Sequence, residues 1–471
     1  MRVAFARLRS ELSIPEDFGP EVLDEARASA ARDDHAADRL DLRDLPFVTI
    51  DPPGSKDLDQ AVHLSRSGAG GYVVDYAIAD VGRIVQAGGA VDSEAQLRGV
   101  TFYAPDGRTP LHPPVLSEDS ASLLPGVDRA AAAWRVELDE RGEILDVTVR
   151  RALVRSRAQL TYTEVQDALD AGTADEVLVL LREVGALREA RERDRGGVSI
   201  DVPEQNVTLH DDGTYSIELR SVLPAEGWNA QISLLTGIAA ASLMRAGEIG
   251  ILRTLPASDP RDVERLRRTA LAIGIDWPAE VPYAELLGTL DSRIPQDAAF
   301  LNEATSLFRG AGYLAFQGPV PEGSEHAAIA AEYSHVTAPL RRLVDRYTTE
   351  ICLALSSGGG AAAVPSWVID AFDDLPKTMS RSGQRASSFE RASIDIVEAA
   401  LLTGAVGQSF RGVVVDVDAK DPRKGLVVVD DPAVRGTVTS GSRDLPLGES
   451  VEVELTEVSI EDRKIRFSYE G

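Results

Sequence analysis

Apolar and polar positions follow two periods along this chain, and their alternation divides it into three regions. In the first, the charge- and alanine-rich stretch from Met1 to about Arg43, the run Pro20-Glu21-Val22-Leu23-Asp24-Glu25-Ala26 places apolar residues at helical spacing behind a leading proline. A small helical cap or helix-turn-helix is expected there. The second region opens with the β-type runs Phe47-Val48-Thr49-Ile50 and Ala61-Val62-His63-Leu64, separated by the loop Asp51-Pro52-Pro53-Gly54-Ser55-Lys56-Asp57-Leu58-Asp59-Gln60, and continues with a strand from Tyr72 to Ile78. Mixed strands and helices then run to about Thr403. They include an amphipathic helix around Tyr162-Thr163-Glu164-Val165, a long helix near Glu226 to Met244, and a flexible surface loop at Ser356-Ser357-Gly358-Gly359-Gly360-Ala361. From Gly407 onward five short runs separated by turns, at 412–415, 426–429, 434–438, 451–455 and 465–467, predict a small closed Greek-key barrel of the OB type. No internal repeat is visible. The pattern predicts an α+β chain with a cap over residues 1–42, a large mixed domain over 43–405 and a barrel over 406–471.

Composition narrows the class. The 471 residues are 44% hydrophobic and 27% charged, a globular composition with ample length for a core. A single cysteine excludes an internal disulfide and a Cys/His zinc cluster; Cys352, inside Ile351-Cys352-Leu353-Ala354-Leu355, reads as a buried inert thiol. Arg2, Arg7 and Arg9 interrupt the amino terminus, so no secretory core is expected there, and the Ala/Leu-rich stretch Ile232 to Leu243 is too short to span a bilayer. These features predict a cytoplasmic protein without a membrane partner. The formal charge of -27 argues on average against a nucleic-acid ligand, but a local arginine-lined channel carrying metal ions can still hold a polyanion.

Chemistry concentrates in the loop between the first two strands. Asp51, Asp57 and Asp59 share it, with Asp80 ending the strand that follows, and carboxylates two apart on extended backbone point the same way. Such a cluster repels itself unless a cation intervenes, and hard oxygen donors favour Mg²⁺. The alternative is a solvated acidic turn. A second feature is Thr337-Ala338-Pro339-Leu340-Arg341-Arg342-Leu343-Val344-Asp345, where Thr337 and Pro339 predict a helix N-terminus with Arg341 one turn inside, an arrangement suited to a phosphate. Its alternative is an ordinary exposed basic helix start. His63, His112 and His335 are expected to be structural or surface groups.

These residues, with Ile78-Ala79-Asp80-Val81, Tyr103-Ala104-Pro105 to Leu111, Leu116-Ser117-Glu118 and Ser122-Leu123-Leu124-Pro125-Gly126, occur in an order and spacing that resembles the RNB catalytic domain of the ribonuclease II and ribonuclease R family. The likeness covers roughly Arg39 to Thr403, and the barrel resembles the S1-type OB domain that follows RNB. What the resemblance implies is a processive 3′-to-5′ exoribonuclease acting on the 3′ ends of single-stranded RNA, releasing nucleoside 5′-monophosphates with Mg²⁺ (Mn²⁺ as a substitute), working as a monomer without a nucleotide cofactor. It places Asp51, Asp57 and Asp59 on three of four family aspartates at the metal, with Gln60 where the fourth stands. Asp59, Arg341 and Asp57 fall on catalytic positions. Tyr103, Tyr162, Glu226, Arg342 and Glu390 fall on positions that contact RNA.

Three departures accompany the likeness. Gln60 offers a neutral carbonyl oxygen in place of a carboxylate, a gap that Asp80 is able to fill if its charge moves there. Val198-Ser199-Ile200 stands where a second stacking aromatic is expected, so Ile200 packs on a base without stacking. About forty residues before the RNB region cannot hold a cold-shock domain, so the cap and barrel are expected to build the RNA entrance, which on this reading admits structured RNA. Two other readings stay open: a catalytically silent RNA-binding protein in which Gln60 marks a decayed metal site, and an acidic binding module suggested by net charge alone.

Overall fold

The computed structural model of the chain describes residues 1–32, 38–68, 70–200, 204–210, 212–220, 222–418 and 420–470. Its cap holds two helices, α1 (Arg2–Glu11) and α2 (Pro20–Ala30), the latter led by its proline as the pattern predicts. Phe5 and Leu8 of α1 are buried, and the segment between the helices is fastened from below by Arg98. That arginine is fully buried: it pairs with Glu94 at 2.7 Å, donates to the carbonyls of Pro15, Asp17 and Pro110, and lies 3.9 Å over the Phe18 ring. Its charge is thus met by Glu94 and its remaining donors by backbone.

The mixed domain is organised around one six-stranded sheet. β1 (Leu40–Asp41), β2 (Phe47–Asp51), β3 (Gln60–Arg66) and β4 (Tyr72–Ala79) precede the short helices α3 (Val81–Ile84) and α4 (Ala90–Arg98), and a separate hairpin of β5 (Phe102–Ala104) and β6 (Gly107–Thr109) follows. β7 (Asp128–Leu138) and the long β8 (Ile144–Thr161) complete the sheet in the order β1-β8-β2-β3-β4-β7. β8 pairs antiparallel with β7 from Ile144 to Arg155 and then parallel with β2 from Ser156 to Thr161, so the sheet curls back on itself. Trp134, Tyr76, Val74 and Ile78 fill its inner face.

Helices cover that same face. α5 (Tyr162–Asp170) starts on a capping box between Thr161 and Glu164, α6 (Glu176–Asp194) packs on α7 (Pro224–Ala246), and the β9 (Glu204–Leu209) and β10 (Tyr215–Arg220) ribbon lies between them in sequence. α7 is long, apolar and buried along Ile232, Leu235, Ala239 and Ala240, which fits its place in the core. β11 (Ile249–Thr254) leads into a lobe of α8 (Pro260–Ala272), α9 (Tyr283–Leu287) and α10 (Pro295–Ala304), whose own core is Leu266, Leu286, Phe300 and Leu301. Ile200 packs against this lobe core, which is a different place from the base-packing role expected for it. β12 (Gly312–Gln317) pairs with β11; α11 (Leu343–Ser356), α12 (Ser366–Asp370) and the 27-residue α13 (Leu375–Leu401) complete the domain. Cys352 is fully buried in α11, and burial pushes its thiol above the ordinary range. Ser356 ends that helix and accepts the Val149 N–H at 2.9 Å, so the glycine-rich loop starts one residue later than predicted.

The carboxyl-terminal strands β13 (Ser409–Val417), β14 (Lys424–Val429), β15 (Arg435–Ser440), β16 (Ser450–Ser459) and β17 (Lys464–Tyr469) close into a barrel in the order β13-β14-β15-β17-β16. All five match predicted runs. Alternation puts Val414, Val427, Val438, Val453 and Phe467 inside. Gly436 is required by packing: a Cβ there would stand 2.5 Å from the Phe467 ring. Among the described residues no helix is long and apolar enough to cross a membrane.

Candidate active site

Strand register brings the acidic loop to one end of the sheet. Asp51 ends β2 opposite Thr161 of β8, so Tyr162, the next residue, begins α5 beside it. Gln60 opens β3 opposite Ile78 of β4, and Ala79 N–H donates to the Asp59 carbonyl at 2.9 Å. Asp59 is 4% exposed; its Oδ1 accepts the Leu340 N–H at 2.7 Å, and its Oδ2 lies 3.5 Å from Arg341 Nε. Burial pushes its carboxyl up to about 8 against the opposing pull of Arg341 and the Leu340 N–H, and Asp345 and Asp57 push the same way as burial. Asp51 is raised to about 6, again by burial first, with Arg341 opposing and Asp57 adding; its Oδ2 is buried without a protein partner. Asp57 is instead ion-paired with Arg108, which also reaches Glu118 at 2.9 Å.

Arg341 does not stand in a helix. Residues 337–342 form turns and α11 begins only at Leu343, because Arg342 is extended and the Leu343 N–H, which a continuing helix would direct to Pro339, is held by Gly99. Asp345, fully buried, accepts the Ala338 N–H at 2.7 Å and the Arg342 guanidinium at 2.8 and 3.0 Å, while Leu340 N–H goes to Asp59. Thr101 N–H donates to the Arg341 carbonyl and Leu343 N–H to the Gly99 carbonyl, both at 3.0 Å, which pins the turn in extended pairing beside β5. The expected helix N-terminus is therefore corrected: an anion here meets the Arg341 guanidinium, 48% exposed, and not the start of a helix. Gln60 ties the two loops together, its Nε2 donating to the Thr337 carbonyl at 2.6 Å. Asp80 cannot supply the charge that Gln60 lacks, since it is buried and paired with Arg39 at 2.9 Å and with Arg151, which also holds Glu350.

The aromatic residues border the same place. Tyr103, on β5, is 44% exposed, and partial burial of its hydroxyl together with Asp57 raises its proton affinity to about 12. The Tyr162 hydroxyl receives Asn229 Nδ2 at 3.5 Å and is raised by burial and then by Asp51. Glu226 caps α7: burial raises its carboxyl, but Arg220 and the Leu223 N–H outweigh that and hold it below the ordinary range. Arg342 is committed to Asp345. Glu390 is exposed on α13 beside Phe389, which packs edge-on against Phe102. His112, buried, and His335, partly buried, are held neutral by desolvation, His112 falling to about 3, as structural histidines should be.

Sequence reasoning passed over Arg108 and Asp345. The Pro105-Asp106-Gly107 turn signal, read as a hairpin, would have set Arg108 opposite Tyr103 and so beside Asp57. Nothing local announces that Asp345 collects the amide of Ala338.

A divalent cation suits part of this donor set. Among the described residues no three acidic, histidine or cysteine side chains are grouped to hold an ion by themselves. Asp51 nevertheless has an orphaned buried oxygen, and both Asp51 and Asp59 hold protons too tightly for carboxylates with adequate positive charge nearby. Mg²⁺ commonly takes one or two carboxylates and completes its shell with water and substrate phosphate, which fits Asp51 and Asp59.

Residues 39–356 match the RNB domain, and residues 408–470 match the RNase II-type exonuclease C-terminal S1 domain. Ribonuclease R of Escherichia coli is 28% identical over 477 residues, spanning 92% of this chain and 57% of that protein. The human exosome complex exonuclease RRP44 is 27% identical over 441 residues, 90% of this chain and 45% of that one. The chain thus spans about half the length of these curated relatives. Mycoplasma genitalium RNase R in complex with ribose methylated single-stranded RNA shares the fold with a TM-score of 0.88 at 19% identity, covering 100% of this chain and 78% of that chain. Yeast Ssd1, a pseudonuclease, matches at 0.65 and 16% identity, over 85% and 50%. With an RNB match over more than half its length, its acidic loop and Arg341 inside the matched segment, the chain belongs to the RNB family.

Proposed function

We propose that the chain is a processive 3′-to-5′ exoribonuclease, monomeric and cytoplasmic, that hydrolyses single-stranded RNA to nucleoside 5′-monophosphates with Mg²⁺ and no nucleotide cofactor. One observation carries this reading: the buried Asp59 and the partly buried Asp51, whose Oδ2 lacks a partner, face a single half-exposed guanidinium and want positive charge. Asp51 and Asp59 would hold the ion, with Asp57 and Gln60 beside them, and when bound it supplies charge neutralisation and an acidified water. Arg341 binds the non-bridging oxygens of the scissile phosphate, and the Leu340 N–H fixes Asp59 so that its Oδ2 faces that arginine. Tyr103 and Tyr162 border the terminal nucleotide, where a stacked aromatic contributes about 1–3 kcal/mol without reading sequence. Glu226, Arg342 and Glu390 are assigned to contacts with the last nucleotides. 2′-OH contacts would separate RNA from DNA. Since Mycoplasma genitalium RNase R is also solved in complex with double-stranded RNA, tolerance of structured RNA belongs to the proposal.

A second reading has support in Gln60, whose amide is spent on the Thr337 carbonyl, and in the fold shared with a pseudonuclease: an RNA-binding protein without hydrolysis. A digest of 5′-labelled RNA in Mg²⁺, beside Asp59→Asn and the matching DNA, separates them. A ladder shrinking from the 3′ end, absent in the variant and on DNA, supports the exoribonuclease. RNA that binds but stays intact overturns it, and stalling at every hairpin overturns the structured-RNA part.

A further inference from the structure

The β5–β6 hairpin that carries Tyr103 is a two-stranded sheet of its own, three residues to a strand, with no ladder to the six-stranded sheet. Such a ribbon is marginal by itself, so its placement comes from what packs on it. Phe102, fully buried, meets Phe389 of α13 edge-on at 6.2 Å, and Arg385 lies 5.0 Å over the Phe102 ring while donating to the carbonyls of Ser13, Leu97 and Arg98. Further support comes from α1. Phe5 and Leu8 enter the same cluster as Phe102 and Phe389. Arg9 lies over Phe389 at 5.6 Å and grips Asp106, in the hairpin turn, through two hydrogen bonds of 2.9 and 2.7 Å.

We infer that α1 positions the Tyr103 platform, with Arg9 as the positioning residue acting through Asp106. This rests on the reading of Tyr103 as the surface that borders the terminal nucleotide. The Arg9–Asp106 pair has the properties of a grip: it is bidentate, and its side chains are only 14% and 19% exposed, so water screens it far less than a surface ion pair. Two residues away on either side of the turn, Tyr103 and Arg108 face each other in register, and Arg108 continues to Asp57. Arg108 is held in addition by Glu118, so a displacement of the turn falls on the stacking ring. The same helix is tied to the barrel through Glu11 and Arg463 at 2.9 Å and through Arg7 and Glu461, so α1 joins barrel and platform.

The test is a double-mutant cycle read by steady-state kinetics on a short single-stranded RNA. Arg9→Ala is expected to raise KM about tenfold, the low end of what hydrogen bonds to a charged group contribute, with kcat within about twofold. In a Tyr103→Ala background Arg9→Ala should add almost nothing, because the ring it positions is gone. The exchange Arg9→Asp with Asp106→Arg should recover most of the lost KM, and Asp106→Asn, which keeps the shape of the turn, serves if Arg9→Ala unfolds. An unchanged KM in active protein, or the same tenfold loss with and without the Tyr103 ring, overturns the inference. A wild-type chain that releases no mononucleotide overturns the exoribonuclease reading instead.

Discussion

Glu398 offers a quantitative test of how the barrel is held. It lies in the last turn of α13, 3% exposed, and its Oε1 accepts both Gln205 Nε2 from β9 at 2.7 Å and the Arg435 N–H from β15 at 2.8 Å. Burial pushes its carboxyl from the ordinary 4.5 up to about 7; the two hydrogen bonds and Arg435 oppose, and Asp395 adds to the rise. Because the folded value is raised, the folded chain binds this proton more tightly than the unfolded chain. The stabilisation is therefore full below about 4.5 and is lost as pH rises through about 7. A difference of about 2.5 units at about 1.36 kcal/mol each amounts to about 3 kcal/mol, most of which falls between pH 5 and pH 8. Glu398→Gln mimics the protonated group and keeps an Oε1 for both donors. Guanidinium unfolding of the two proteins at pH 5 and pH 8, followed by circular dichroism, should give nearly equal stability at pH 5. At pH 8 the variant should be ahead by about 2–3 kcal/mol. A gap between the two that does not change with pH would refute the reasoning.

Three further outcomes are expected. Arg346 is 1% exposed, donates to Asp92 at 2.6 Å and the Val85 carbonyl at 2.9 Å, and lies 4.6 Å over Trp367; Arg346→Ala strands the Asp92 carboxylate and should cost about 3–5 kcal/mol in a denaturation curve. In Gly237→Ala the new methyl would overlap the Tyr333 ring and stand 2.7 Å from the Ser334 carbonyl, so about 1–3 kcal/mol should be lost to overpacking, with a lower melting temperature; an unshifted one would show that α7 yields freely. Asp345→Asn keeps the size of the residue that holds Ala338 and Arg342 but loses its charge, so about 2 kcal/mol of loop anchoring and at least about tenfold in RNA hydrolysis should disappear; unaltered initial rates would separate the turn from the chemistry.

The barrel was readable because five short apolar runs are divided by closely spaced turns, and one strand, Arg435–Ser440, alternates residue by residue. Asp51 and Asp59 were readable as a pair for a related reason: they flank two strands whose apolar runs are unmistakable. What remained hidden depends on contacts between distant segments. Thr337 and Pro339 carry a sound local signal for a helix start, yet pairing of Arg341 and Leu343 with the distant Thr101 and Gly99 holds Arg342 extended and delays the helix. Asp80 looks like a fourth ligand in one dimension and is a buried ion-pair partner of Arg39 and Arg151 in three. Ile200 stands where a base contact was expected, but the helical lobe whose core it joins could be recognised only once α8 and α10 were folded together.

The fully buried Arg98 also divides the tolerance of the cap to mutation. Three of its donors end on the carbonyls of Pro15, Asp17 and Pro110, groups that every residue type supplies, so the side chains at 15 and 17 can drift while the anchor persists, whereas Ile14 is buried and Phe18 lies under the guanidinium. Linker length cannot drift in the same way, because a deletion would carry two of those carbonyls out of reach. Nor can Arg98 itself, since lysine offers one compact ammonium in place of a planar fork and would leave several of these acceptors, and the Phe18 ring, without a partner. For anyone engineering the amino terminus, the linker is open to substitution at 15 and 17 and closed to shortening.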